Sequence, residues 1–449
     1  MVLTMSFLQS IKSFRGGVHP IEYKELTENL AFEIMPNPKE VIVPIRQHIG
    51  KESKPLVKKK DEVKAGQIIA EPDGFISSPI HSSVNGLVMN LHRENNASGF
   101  PVESIIIKPN EETEVVRMLP LNPEMITPEE IRERVREAGI VGQGGAAFPT
   151  FVKLTPPKDK VIDHVILNGA ECEPYLTRDF RYMIERPKEI ITGLKLIMQA
   201  LGVKNGAIGI EDNKPEAIEV LSNLVAHEQN IKVEVVKTKY PQGAEKMLIK
   251  AITGREVAPG KLPLDSGVVI QNIGTAIAIS DAVVKGEPQI TAALTVSGLG
   301  ILNPKNLIVK VGTPLKEIIE YCGGVTDKAK KVIVGGPMMG VAQFDFSAPV
   351  MKATSGILVL TQEELNEHEQ TACLRCGKCV EACPLNLVPT KLARYSQLDK
   401  WEEAEQFDVT TCMECGTCTF TCPANIPLVQ WIRLGKQKVI KLQREKQSA

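Results

Sequence analysis

A chain of 449 residues is longer than one hydrophobic core organises, so about three or four domains are expected. With 43% hydrophobic residues each domain can bury an ordinary core, and a formal net charge of −1 excludes a general nucleic-acid or membrane-surface binder. No run reaches roughly 18 uninterrupted apolar residues, so no membrane span is predicted, and the first ten residues do not read as a secretion signal.

Residues 1–40 read as a loop-rich arm with Gly16, Gly17, Pro20, Pro36 and Pro38. Short β-like segments follow over 41–112: Glu40 to Pro44, Pro55 to Val57, Gln67 to Ala70, Gly86 to Met89 and Val102 to Ile107. Turn signals such as Asp73-Gly74 and Asn85-Gly86 separate them. The pieces around Gly66 and Gly86 resemble a biotinyl/lipoyl-type barrel-sandwich. Carriers of that type hold a modified lysine on the intervening hairpin, and here that hairpin is Glu71-Pro-Asp-Gly-Phe75. Without the lysine it reads as a packing module.

Over 113–285 helices alternate with strands, which indicates a Rossmann-like three-layer α/β domain. Thr127-Pro128-Glu-Glu130 is a helix start with a threonine cap and proline at the first helical position. Strands are predicted at Val161–Leu167, Ala207–Ile210 and Lys232–Val236. Helices are predicted at Pro187–Leu201, Pro215–Glu228 and Ala244–Thr253. Residues 286–350 read as a small α+β unit, in which Thr313-Pro314 opens a helix and Val332-Ile-Val-Gly335 is a strand entering a turn. The whole is multidomain α/β and α+β. A helical cysteine domain occupies 351–430, and 431–449 reads as a basic helix or tail, with six lysines or arginines against Glu445 alone.

The cysteines are the sharpest signal. Cys373, Cys376, Cys379 and Cys383, followed by Pro384, form a C-x2-C-x2-C-x3-C-P run, and 39 residues later Cys412, Cys415, Cys418, Cys422 and Pro423 repeat it. Three closely spaced thiolates hold three corners of an iron–sulfur cubane, and in two-cluster ferredoxins the fourth cysteine ligates the other cluster. On that pattern one cluster takes Cys373, Cys376, Cys379 and Cys422, and the other takes Cys412, Cys415, Cys418 and Cys383. Paired C-x-x-C units also build structural zinc sites, although zinc has no use for a three-cysteine run plus Cys-Pro, twice. Only Cys172 and Cys322 are left over, so no disulfide framework is implied, and reduced thiolates fit the cytosol.

A second informative stretch is Gly142-Gln-Gly144-Gly145-Ala-Ala147-Phe148-Pro149. It begins like the dinucleotide fingerprint, but a helix precedes it and Ala147 replaces the last glycine, so it is not the usual βαβ motif. Such a turn either reverses the chain or lets backbone N–H groups approach a phosphate or flat ring. Lys153 lies nearby, and Asn168-Gly-Ala-Glu171-Cys-Glu173 follows a strand end, where α/β folds place ligands.

Together these residues resemble the FMN- and NADH-binding subunit of respiratory NADH dehydrogenases. The likeness continues through Tyr240-Pro-Gln-Gly243-Ala-Glu245 and Gln271-Asn272-Ile-Gly-Thr275. The whole chain is still more similar to the C subunits of Rnf ion-translocating oxidoreductases. Its further marks are Arg15-Gly-Gly-Val-His-Pro20 and Gly335-Gly-Pro-Met-Met-Gly340. The resemblance implies an SLBB-type β-grasp module at 286–350. It implies FMN held by Gly142, Gly144, Gly145, Lys153, Asn168, Asn272 and Thr275. Phe148, Glu171, Glu173 and Glu245 would contact the nicotinamide nucleotide, with Tyr240 and Gly243 in the same pocket. Relative to the respiratory subunit, Ala147 stands for a glycine, Ala170 and Ala244 stand for acids of the flavin pocket, and Cys172 stands for a glycine. The implied activity is electron transfer between NAD(H), FMN and two [4Fe-4S] clusters, coupling ferredoxin:NAD+ oxidoreduction to Na+ or H+ transport. Implied partners are the other subunits of a membrane complex, with ferredoxin indirect and no nucleic acid; the location would be the cytoplasmic side of the cell membrane, peripherally. The alternatives are a cobalamin reductase-type flavoprotein of a microcompartment, or a ferredoxin-like adaptor that binds no nucleotide.

Overall fold

The computed structural model describes residues 11–365 and 368–448. The first ten residues of the expected arm and Ala449 of the expected tail lie outside them.

Two antiparallel sheets form the barrel-sandwich. One orders Val41–Pro44, Pro101–Pro109, Gly86–Asn95 and Glu62–Val63, and the other orders Lys54–Pro55, Ile68–Glu71 and Ile80–His81. Alternating side chains such as Val41, Val43, Ile105 and Ile107 are buried between them. The hairpin that carries lysine in the biotinyl/lipoyl carriers leans on the neighbouring domain, with the Phe75 ring edge-on to Phe151 at 5.6 Å.

The α/β domain is a parallel sheet ordered Ile231–Val236, Asn205–Glu211, His164–Gly169, Val268–Asn272. Val165 and Leu167 face one layer of helices, among them Pro187–Leu201 and Ile273–Val284. Ile166 faces the other layer with Leu248 and Ile249 of Glu245–Thr253. Thr127 caps Pro128–Glu137 in a reciprocal box with Glu130. The strand expected from Val161 begins only at His164; Asp163 just before it holds Arg255 at 2.6 and 2.7 Å.

The β-grasp sheet corrects two expected boundaries. It has six strands in the order Phe32–Ile34, Lys305–Lys310, Thr291–Ser297, Gly356–Thr361, Ala329–Val334, Val341–Gln343. Its edge strand comes from the arm, so residues 32–34 belong to this sheet rather than to a free loop. Gly356–Thr361, buried on both faces, sits in its middle, so the unit runs past the expected border at 350. A short apolar run with no hairpin signal beside it does not announce which sheet it joins.

In the cysteine domain the sequence repeat is also a backbone repeat. Arg375 and Glu414, Gly377 and Gly416, and Asn386 and Asn425 all have left-handed φ values between 50° and 81°. The expected separate tail is continuous with this domain. Helix Leu428–Ser448 buries Leu428, Val429, Ile432 and Val439 in its core.

Candidate functional site

From His164–Gly169 the chain winds outward one way to Ile231–Val236, then returns to the opposite side for Val268–Asn272. A crevice therefore opens beyond the C-terminal ends of the neighbouring strands His164–Gly169 and Val268–Asn272, at the point where the winding direction switches. Asn168 and Asn272 are register partners at its floor. Asn272 caps helix Ile273–Val284, its side chain accepting from Gly274 N at 2.8 Å, so the positive end of a twelve-residue helix faces the crevice.

The glycine loop closes over this end. Gly142 N donates to Phe148 O at 2.9 Å, and Gln143 N donates to the buried Thr275 hydroxyl at 3.0 Å. Gly144, at φ 75°, approaches so closely that an added Cβ would stand 3.0 Å from Arg178 Nη2 and 3.4 Å from Asn272 Nδ2. At Gly145 an added Cβ would meet nothing within 4 Å, which leaves an open cradle. Ala147 is buried at φ 54°, a left-handed conformation that suits glycine better.

Arg178 and Asp179 were not anticipated from the sequence. The Arg178 guanidinium is 1% exposed; its Nε donates to Asp179 Oδ1 at 3.0 Å and its Nη1 to the carbonyls of Ala293 and Thr354. Its Nη2, beside Gly144, has no partner, and neither does Gln143 Oε1 in the same wall. Asp179 in turn accepts from Asn272 Nδ2 at 2.7 Å. A buried cation with a free N–H, a helix N-terminus and an open glycine cradle suit a ligand that carries both an anionic group and a flat ring, such as a flavin nucleotide. At the other side of the crevice Lys153 donates to Glu245 at 2.6 Å and to Ile270 O at 3.1 Å, while Asn168 Nδ2 donates to Gly243 O at 2.7 Å.

Three of the sequence-predicted residues are engaged elsewhere. Glu171 is buried and accepts from Asp179 N at 2.7 Å, serving the start of helix Arg178–Glu185. Glu173 accepts from Met338 N and Met339 N, both at 3.0 Å, and so pins the Gly335–Gly340 turn. Burial raises both carboxyls to about 7, against the pull of Lys24 on Glu171 and of the two N–H groups on Glu173. Tyr240 points away from the crevice: its hydroxyl donates to Cys415 O at 2.7 Å. Lys24, from the arm, organises this loop by donating to the carbonyls of Glu171, Glu173 and Leu176 at 2.7–3.0 Å. Nothing in the local sequence marks a lysine that acts across some 150 residues.

The eight cysteines fall into two groups that cross between the motifs. Cys373, Cys376, Cys379 and Cys422 line one cavity with Pro423, Ile426 and Leu428. The thiols of Cys412, Cys415, Cys418 and Cys383 neighbour one another electrostatically as the second group. The two turns are built alike: Arg375 N donates to Cys373 Sγ at 3.5 Å, and Glu414 N donates to Cys412 Sγ at 3.4 Å. Burial pushes the free thiols of Cys412 and Cys418 up to about 11 and about 12, so a bound metal must displace their protons. Cys373 and Cys376 are exposed, whereas Cys383, Cys415 and Cys418 are buried against the rest of the molecule.

Comparison with known proteins follows this anatomy. Residues 12–112 match the model described as the RnfC barrel sandwich hybrid domain, and 135–281 the Nuo51 FMN-binding domain. Residues 294–342 match the SLBB domain and 372–426 the 4Fe-4S dicluster domain, which sets aside the zinc reading. The C subunit of the proton-translocating ferredoxin:NAD(+) oxidoreductase complex of Clostridium ljungdahlii is 48% identical, over 88% of this chain and 86% of its own. The C subunit of the Na(+)-translocating complex of Acetobacterium woodii is 46% identical over 96% and 98%. A solved NAD+-reducing [NiFe]-hydrogenase shares the fold, with a TM-score of 0.51 at 16% identity over 74% of this chain and 69% of that one. Likeness of this degree along nearly the whole chain places it in the family of C subunits of ion-translocating ferredoxin:NAD+ oxidoreductase complexes.

Proposed function

We propose that this subunit faces NAD(H) and passes electrons between the nucleotide, FMN and two [4Fe-4S] clusters within a membrane-associated complex. Hydride chemistry moves two electrons together and a cubane carries one, and FMN supplies the conversion between them when bound. The cradle of Gly142, Gly144 and Gly145, with Asn168, Asn272 and Thr275, would hold the flavin. Arg178 and the helix end at Asn272 offer positive charge to the flavin from one side, and Lys153 from the other. Phe148 and Glu245 stand at the exposed side, where the nicotinamide nucleotide would enter. Glu171, Glu173 and Gly243 support the crevice from behind, and Tyr240 serves the cluster side.

One observation carries the reading: Tyr240 extends from the α/β domain to the backbone of Cys415, so crevice and second thiol group share a wall. That supports an order in which the Cys412/415/418/383 cluster lies next to the flavin. The Cys373/376/379/422 cluster, with Cys373 and Cys376 exposed, then meets a partner subunit. Among the described residues no helix is long and apolar enough to cross a membrane, so the other subunits would supply attachment. A cytoplasmic-side position suits both NAD(H) and thiolates kept reduced.

Anaerobically reconstituted protein titrated with FMN and then NADH tests this. Flavin uptake followed by bleaching of the flavin on NADH addition is expected. Protein that holds both clusters but takes up no flavin and does not respond to NADH would leave only the adaptor reading.

A further inference from the structure

The Arg15-Gly-Gly-Val-His-Pro20 motif has no role in the crevice or in either thiol group. Its two glycines nonetheless sit at the joint between them. Gly17 N donates to Ala382 O at 2.9 Å, the carbonyl just before Cys383. Val18 then pairs with Tyr240 in both directions, each N–H donating to the other's carbonyl at 2.8 Å. Tyr240 closes the ring through its hydroxyl on Cys415 O. Two of the four thiols of the second group are therefore tied, by their own or an adjacent carbonyl, to a bend that also grips the flavin domain.

The fit admits little else. Gly16 and Gly17 have φ values of 81° and 80°, which L side chains rarely adopt. A Cβ on Gly16 would stand 3.0 Å from Cys383 O, and one on Gly17 would stand 2.6 Å from Tyr240 O and 2.9 Å from Lys239 Cε. Val18, Tyr240, Ala382 and Cys415 form a small apolar cluster here, with Cys172, Met338 and Met413 against it. Cys172 Sγ accepts from Gly243 N at 3.3 Å, and Gly243 O accepts from Asn168 of the crevice floor. The joint thus lies on the short protein path between crevice and second thiol group.

We propose that Gly16, Gly17 and Tyr240 form a clasp that fixes the separation between the flavin and the second-motif cluster, making them positioning residues for electron transfer. This rests on the functional reading above. The bound thiolates hold the cluster without the clasp; what the clasp supplies is the rigid docking of that cluster on the flavin domain.

The test uses the full chain loaded with FMN and both clusters, reduced with dithionite, freed of excess reductant, and mixed with NAD+. Two cluster electrons and one proton convert NAD+ to NADH, read as recovery of cluster absorbance and appearance of NADH. Gly17→Ala is expected to keep its iron, sulfide and flavin and to be re-oxidised by ferricyanide at the parental rate. Its re-oxidation by NAD+ should slow several-fold, because electron tunnelling weakens steeply as the two centres move apart. Tyr240→Phe, which removes only the hydroxyl, should slow the same step by less and serves if Gly17→Ala does not fold. Variants that keep their cofactors and are re-oxidised by NAD+ at the parental rate would overturn the clasp. If the parent protein itself is not re-oxidised by NAD+, the functional reading fails instead.

Discussion

Lys153 and Glu245 pair with one another at 2.6 Å across the mouth of the crevice, although the family resemblance implies that one meets the flavin and the other the nucleotide. The carboxylate therefore tempers the positive charge that the cradle offers. Both side chains are partly exposed, so the pair is worth well under 1–2 kcal/mol. Glu245→Gln should tighten FMN binding by about threefold through the freed lysine. It should weaken NADH binding by about tenfold, if a charged acceptor for the nucleotide is lost. Isothermal titration with each ligand separates the two; a parallel change in both would show that Glu245 acts only through Lys153.

The crossed grouping of thiols makes a prediction that a motif-by-motif assignment does not. Cys422→Ser should disable the cluster held mainly by Cys373, Cys376 and Cys379, and Cys383→Ser the one held by Cys412, Cys415 and Cys418. Iron and sulfide should fall from about eight of each to about four in either variant. Electron paramagnetic resonance of the reduced protein shows which signal survives. Loss of the second-motif signal in Cys422→Ser would contradict the grouping.

The glycine loop separates room from strain. Gly145→Ala would put a methyl into the open cradle with no protein atom within 4 Å of it, so flavin content should fall several-fold while both clusters and the melting transition persist. Ala147→Gly should do the opposite: relief of a left-handed alanine is worth about 1 kcal/mol, seen as a raised melting midpoint.

Two buried groups give pH profiles of opposite slope. Burial raises the Glu173 carboxyl from its ordinary 4.5 to about 7. Between those values the folded chain holds the extra proton, so stability falls as pH rises through that window and is flat above it. Lys352 is 1% exposed, donates to Pro79 O and Gly139 O, and joins three domains; burial lowers it from 10.5 to about 7. There the unfolded chain holds the extra proton, so stability rises from about pH 7 towards 10.5. Glu173→Gln should reduce the first slope, the remainder belonging to Glu171, which burial raises alike, and Lys352→Met should reduce the second, measured as melting midpoint against pH relative to the parent. Lys352→Met should lower the midpoint at the alkaline end, where the parent lysine is neutral and two buried carbonyls lose their donor at about 1–3 kcal/mol.

How much of this was legible depended on range along the chain. Helix Pro187–Leu201 has the bounds its apolar face and flanking proline and glycine dictate, and the Thr127–Glu130 box forms as its spacing requires. The cysteine repeat was readable because its chemistry is local: each turn aims an N–H at its own first thiol. What escaped depends on distant partners. Arg178 and Asp179 look like the solvated start of a helix until Gly144 and Asn272 are brought to them. Lys24 looks like an arm residue until loop 171–176 folds around it. Tyr240 lies inside a stretch that matches a nucleotide pocket, and only the docking of the cysteine domain shows where its hydroxyl goes. Two relatives of nearly equal identity are named for protons in one case and sodium in the other, so overall likeness of this subunit does not track the ion.

On the proposed function FMN is the obligatory link between nucleotide and clusters. The most direct measurement compares dithionite-reduced protein with and without FMN, both carrying both clusters, after NAD+ addition. Re-oxidation of the clusters with stoichiometric NADH is predicted for the FMN-loaded protein and its loss for the FMN-free protein, with recovery on adding FMN back. Equal rates in the two, or no NADH from either, would contradict it.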